Sequence, residues 1–202
     1  MSRVIGIARL KIRTDGDGIT TLVGFSGCPL HCRFCLNDQC HDPKDGKEYS
    51  VDELIKLVSI DGIYFGMTGG GVTFGGGEPL LNSEFIEEFC RKCNHRWKIR
   101  IETSLNAEWK EVERLIPYID KWYIDIKDMN PEIYYAYTGT DNSLVIKNLK
   151  LLYDKVGAEK VHIRIPRIPE YNSEKDIAST MKVLNEYDCE KEIFEYRAVI
   201  SE

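Results

Sequence analysis

The chain has 202 residues, ample for one hydrophobic core and short for two domains. Hydrophobic residues make up 43% and charged residues 30%, an ordinary globular balance, while a net charge of −6 argues against a general nucleic-acid surface, which needs clustered Lys and Arg. Every apolar run is far shorter than the roughly 20 residues of a membrane span, and no signal-peptide segment follows Met1–Val4, so a cytoplasmic protein without a membrane anchor is expected.

Taken in order, Thr20–Phe25 reads as a strand and leads into a cysteine-rich loop, then a polar stretch through Lys47. Ser50 and Glu53 form a capping box for a helix with Leu54, Leu57 and Val58 on one side. Gly71–Phe74 is a short strand before a glycine run, and Ser83–Cys93 is helical, with Phe85, Ile86, Phe89 and Cys90 at helical spacing. Lys98–Glu102 alternates as a strand, Glu108–Leu115 is a helix, and Trp122–Ile126 is a strand. Val145, Leu149 and Leu152 mark another helix face. Val161–Ile165 is a strand, Ser173–Glu186 a helix and Ile193–Val199 the last strand. About six strands alternating with helices imply a parallel α/β sheet. The chain is short for an eight-unit barrel, so a partial (β/α)6 barrel or a doubly wound sheet is expected, with ligands at the carboxyl ends of the strands.

Seven cysteines is an odd count, and three of them, Cys28, Cys32 and Cys35, crowd into eight positions. In a reducing compartment such a group reads as metal ligands rather than disulfides. Thiolates suit iron–sulfur clusters and zinc. Three close cysteines can hold three irons of a four-iron cubane and leave the fourth without a protein ligand, and an open position is what chemistry needs. The spacing alone leaves open a zinc site with Cys40 or His41 as fourth ligand. His31, inside the loop, reads as a hydrogen-bonding or solvent-facing residue.

Cys-x3-Cys-x2-Cys with Phe34 before the last cysteine resembles the radical S-adenosylmethionine superfamily. Thr14–Ile19, leading through a strand to the loop, is similar to the N-terminal signature of the glycyl-radical enzyme activating enzymes, the pyruvate formate-lyase activating type among them. The resemblance implies one 4Fe–4S cluster on Cys28, Cys32 and Cys35, S-adenosylmethionine as the second cofactor, and Phe34 packed against adenine. Gly69–Pro79 is a glycine run at a strand end, where backbone can approach a ligand closely. It resembles the Gly-Gly-Glu motif of the same family, which implies that Gly76, Gly77 and Glu78 line the methionine amino group. Gly75 stands where these enzymes often have Ser.

Glu102 and Thr103 end the third strand, and Asp125 and Lys127 end the fourth. Opposite charges there complement a zwitterion, carboxylates for its ammonium and Lys127 for its carboxylate. Most of the resembling enzymes have Asp at the position of Glu102. Some hold a monovalent cation here, which would implicate Glu102, Thr103, Tyr123 and Asp125. Arg164 resembles the arginine near the ribose and methionine part of the cofactor. Arg197 falls where His is common, near the ribose. Cys90 and Cys93 share a helix face and read as core and boundary residues rather than a second metal site.

The resemblance therefore implies an oxidoreductase that reductively cleaves S-adenosylmethionine to a 5′-deoxyadenosyl radical, with no side chain acting as general acid or base in the first step. The radical's destination would be a backbone glycine of a partner glycyl-radical enzyme, and the reductant a flavodoxin or ferredoxin. One radical S-adenosylmethionine domain is expected over residues 1–202, with no ferredoxin-like insert between Cys40 and Val51. The chain is shorter than the usual activating enzymes, so a piece that helps close the cleft is expected to be missing or replaced. The alternatives are a radical enzyme acting on another peptide or a small molecule, and a non-catalytic iron–sulfur or zinc redox protein.

Overall fold

The computed structural model describes residues 1–13, 15–42 and 44–195 of the protein. Its strands are β1 (Ser2–Ile12), β2 (Ile19–Phe25), β3 (Lys47–Tyr49), β4 (Gly71–Gly76), β5 (Lys98–Thr103), β6 (Lys121–Asp125), β7 (Val161–Arg167) and β8 (Glu190–Glu195). They form one sheet in the order β3-β1-β2-β4-β5-β6-β7-β8. The six from β2 to β8 in that order run parallel, while β1 is antiparallel to both β2 and β3. The helices are α1 (Val51–Val58), α2 (Gly62–Thr68), α3 (Ser83–Lys92), α4 (Trp109–Leu115), α5 (Pro131–Thr138), α6 (Ser143–Val156) and α7 (Glu174–Leu184). Among the described residues, no helix is long and apolar enough to cross a membrane.

The period-two alternation of the strands decides which face meets the helices. Val23, Phe74, Ile101, Ile124 and Ile163 are fully buried in one core with Leu54, Phe65, Ile86, Phe89, Leu115, Leu149 and Leu184. Phe74 lies edge-on to Phe89, with ring centroids 5.2 Å apart. The residues between them on the strands point to the opposite, polar face. Register lines these up in rows: Glu102 pairs with Tyr123, Tyr123 with His162 and His162 with Glu190, while Asp125 pairs with Arg164 and Arg164 with Glu192. Helices on one face and a polar lining on the other make the partial (β/α)6 barrel rather than a doubly wound sheet, which buries both faces.

The capping box on Ser50 and Glu53 is formed as read, and α7 starts with a second one, Ser173 with Asp176. Several elements differ from the sequence reading. The antiparallel β1 and β3, and helices α2 and α5, are additional. Strand β8 begins three residues before Ile193, because its first residues alternate as charged side chains and carry no apolar signal. The remainder of the expected last strand, from residue 196, lies outside the described residues, and Arg197 with it. Thr14 lies outside them as well.

Candidate active site

The loop after β2 is stitched to the end of β4. The amide of Gly77 donates to the Phe25 carbonyl at 2.9 Å and that of Glu78 to the Gly27 carbonyl at 2.7 Å. From the other side, the amides of His31 and Arg33 donate to the carbonyls of Thr138 and Tyr137 in the last turn of α5, where carbonyls have no intrahelical donor. The loop thus has no regular structure of its own, yet its backbone is held at both ends. Asn37, which the sequence reading passed over, adds a side-chain bond to the Gly76 carbonyl at 3.0 Å.

Cys28, Cys32 and Cys35 all border one cavity of about 400 Å³. Burial pushes the Cys28 and Cys32 thiols up, so a metal ion must displace their protons on binding. Gly76, Gly77, Glu78, Glu102, Thr103, Asp125, Lys127 and Arg164 border the same cavity. Phe34 is placed differently: its ring packs edge-on to Tyr171 at 5.9 Å and against Tyr137 at 6.4 Å.

Two glycines of the β4 turn have no room for a side chain. Gly76 has φ +95°, and a Cβ there would lie 2.6 Å from the Gly24 Cα. A Cβ on Gly77 would lie 2.2 Å from the Gly27 carbonyl oxygen. Glu78 is buried, and its carboxylate is fully engaged by the fold. One oxygen accepts from Thr103 Oγ1 at 2.5 Å and the Leu80 amide at 3.2 Å; the other accepts from the Ser104 amide at 2.9 Å and Ser104 Oγ at 2.6 Å. Burial pushes this carboxyl up, while the four donors pull against it. Ser104 was not singled out from the sequence; a hydroxyl directly after Thr103 at a strand end is the only signal it carries.

Above the cavity floor the charges form a chain. Arg164 reaches Glu102 at 3.0 Å and Asp125 at 2.7 Å, and Lys127 reaches the other Asp125 oxygen at 3.3 Å. Burial pushes the Asp125 carboxyl up, but Arg164 and Lys127 more than offset this and hold it down at about 2. Burial wins at Glu102, whose carboxyl is pushed up against the pull of Arg164. Tyr123 does not join Glu102, Thr103 and Asp125 at this cavity. It borders a second one on the same face of the sheet, with Arg100 and His162, and its ring lies under the Arg164 guanidinium at 5.5 Å. Cys90 and Cys93 are buried in the helical core, as read.

The residues fit a cluster with an open iron. Three thiols are the donor type that iron–sulfur clusters take, and they share a cavity with groups of both charges. The buried phenol oxygen of Tyr134 finds no protein partner among the described residues. Burial first, then the nearby Cys32, Glu78 and Cys28, push this phenol up and keep it a hydrogen-bond donor.

A parallel half-barrel with a three-cysteine loop after its first parallel strand and a glycine turn at the end of the next defines a radical enzyme scaffold. Residues 22–184 match the Radical SAM superfamily, and the chain belongs to it. That membership implies a 4Fe–4S cluster and S-adenosylmethionine. The chain is 40% identical over 165 residues to the (2S)-3-sulfopropanediol dehydratase activating enzyme of Klebsiella oxytoca, covering 77% of this chain and 51% of the relative. It is 32% identical over 170 residues to the pyruvate formate-lyase 1-activating enzyme of Escherichia coli K12, covering 81% and 67%. These bear out the resemblance to activating enzymes. The chain spans about half the length of the first relative. The crystal structure of Streptococcus suis SuiB bound to S-adenosylmethionine superposes with a TM-score of 0.69 at 17% identity, over 89% of this chain and 43% of that one, and shows the shared fold.

Proposed function

We propose that this protein is a glycyl-radical enzyme activating enzyme. Cys28, Cys32 and Cys35 would hold a single cluster, and the residues at the ends of β4 to β7 that border the same cavity would hold S-adenosylmethionine. When bound, the cluster would supply the one electron needed to break the sulfonium bond to the 5′ carbon, giving methionine and a 5′-deoxyadenosyl radical that would take a hydrogen atom from a backbone glycine of the partner. The chain's own residues bind and orient. Gly76 and Gly77 present backbone to the methionine amino group, and Glu78 fixes that turn against Thr103 and Ser104. Glu102 and Asp125 balance the ammonium, and Lys127 the carboxylate. Arg164 serves the ribose and methionine part, and Phe34, on the Tyr137 and Tyr171 side of the loop, serves the adenine.

The observation that carries this reading is the single cavity joining three thiols to the Glu102, Arg164, Asp125 and Lys127 chain. Of the residues expected around a monovalent cation, Glu102, Thr103 and Asp125 share this cavity and would hold it, without Tyr123. The reading also includes one domain without a ferredoxin-like insert, a flavodoxin or ferredoxin as reductant, and a reducing cytoplasmic setting that keeps the thiols free.

The test is anaerobic reconstitution with iron and sulfide, then incubation with S-adenosylmethionine and a strong reductant. Methionine and 5′-deoxyadenosine are expected. Adding candidate glycyl-radical enzymes should give a glycyl electron paramagnetic resonance signal. Cofactor binding without either product would sink the cleavage claim. Products without a glycyl signal from any partner would move the radical to another peptide or a small molecule.

A further inference from the structure

A second group of ligand-type side chains lies on the outer flank of the cysteine loop. Cys40 sits on the short turn Asp38–His41 and is 1% exposed. The sulfurs of Cys35 and Cys40 and a ring nitrogen of His41 lie within 4.8 Å of one another. Their backbone is fixed. The Cys40 amide donates to the Asn37 carbonyl at 2.8 Å, its carbonyl accepts from the Gly27 amide at 2.8 Å, and the Cys35 amide donates to the Cys32 carbonyl at 3.2 Å. The His31 ring stacks on the His41 ring, with centroids 4.6 Å apart and 23° between planes, which orients the imidazole.

Tetrahedral zinc with two sulfur ligands and one nitrogen ligand sets those atoms about 3.5–4 Å apart. Closing from 4.8 Å or less asks only for small side-chain rotations. Two thiolates neutralise a divalent ion, and the fourth position is left to water, since Cys35 and His41 are only half-buried. We propose that Cys35, Cys40 and His41 form a site for a borderline divalent ion of the zinc class. Cys35 also borders the cavity assigned to the cluster, so the two occupancies exclude each other. A chain holding zinc here keeps only Cys28 and Cys32 for iron and does not assemble the cubane. The site stands on its own geometry; the exclusion rests on the cluster reading above.

The experiment uses the metal-free full chain, kept reduced and anaerobic, with Co²⁺ as the spectroscopic probe and Zn²⁺ as competitor. The Cys28→Ala/Cys32→Ala variant should bind one Co²⁺ with the visible bands of a tetrahedral ion and charge transfer from two thiolates, and Zn²⁺ should abolish the spectrum. Adding Cys40→Ser to that background should remove it, with circular dichroism confirming the fold. His41→Ala, at a half-buried position, should weaken binding roughly tenfold or more. Unchanged Co²⁺ affinity in His41→Ala, or an unchanged spectrum in the Cys40→Ser variant, overturns the site. In the parent chain, one equivalent of Zn²⁺ added before reconstitution should lower iron and sulfide incorporation several-fold. Cys40→Ser/His41→Ala should incorporate iron and sulfide with or without Zn²⁺. Incorporation equally sensitive to Zn²⁺ in that variant overturns the exclusion. If no variant takes up iron and sulfide, the cluster reading fails, while the Co²⁺ spectra still decide the site.

Discussion

The substitution Glu78→Gln keeps the shape of the side chain and exchanges one carboxylate oxygen for an amide group that only donates. Each oxygen of Glu78 accepts from one backbone amide and one hydroxyl. A hydroxyl can turn to accept from the new amide, but a backbone N–H cannot. Either orientation of the glutamine side chain therefore leaves the Leu80 or the Ser104 amide facing a donor, in a site with 1% exposure where water cannot substitute. An orphaned buried donor costs about 1–3 kcal/mol, and charge-assisted bonds to the hydroxyls are lost as well. The variant escapes the burial penalty that pushes the carboxyl up, which offsets part of this. The net expectation is a destabilisation of about 2–3 kcal/mol. For a chain of this size that corresponds to a Tm lowered by roughly 5–10 °C. Urea unfolding of the cluster-free chain, followed by tryptophan fluorescence, measures it directly. A loss below about 0.5 kcal/mol would refute the reasoning, because only a carboxyl that is already protonated and donating would be matched so well by an amide.

Three further outcomes follow from the same geometry. Gly77→Ala should displace the cysteine loop through the Gly27 carbonyl, so iron bound per chain falls while the far-ultraviolet circular dichroism is retained. Asp125 is held at about 2, below its ordinary 3.8, so it contributes stability above pH 4 that is lost as pH falls towards 2. The shift is worth on the order of 2 kcal/mol, so the stability gap between parent and Asp125→Asn should narrow by about that much across this window. The difference is read rather than the total, since Glu102, pushed up by burial, contributes with the opposite sign as pH falls towards its ordinary 4.5, before this window is reached. A gap independent of pH would mean that Arg164 and Lys127 do not hold the carboxylate. Arg164→Lys should weaken S-adenosylmethionine binding by about tenfold or more, because an ammonium cannot span both carboxylates as the guanidinium does. Cluster absorbance should be unchanged in that variant; its loss would assign Arg164 to the fold instead.

Much of the architecture is local and therefore legible in one dimension. Lys98–Thr103 and Lys121–Asp125 alternate because one face of each strand meets helices and the other a polar cavity. The cysteine spacing and the glycine run are likewise contiguous, so the three-thiol loop and the turn beside it could be picked out before any fold was known. The antiparallel β1 and β3 were not legible, since their pairing joins segments whose half-exposed patterns carry little apolar signal.

Residue types and spacing determined by themselves the alternation of elements, the three-thiol loop and the charged strand ends. Only the tertiary structure decided what those groups do to one another. It turned the Glu78 carboxylate onto Thr103 and Ser104, set Tyr123 at the other cavity, placed Phe34 against Tyr171, and brought Cys40 and His41 to Cys35. The physical reason is that periodicity reports only which face a side chain takes. Which side chains meet on that face is set by strand order and register, and these are fixed by contacts between residues tens of positions apart.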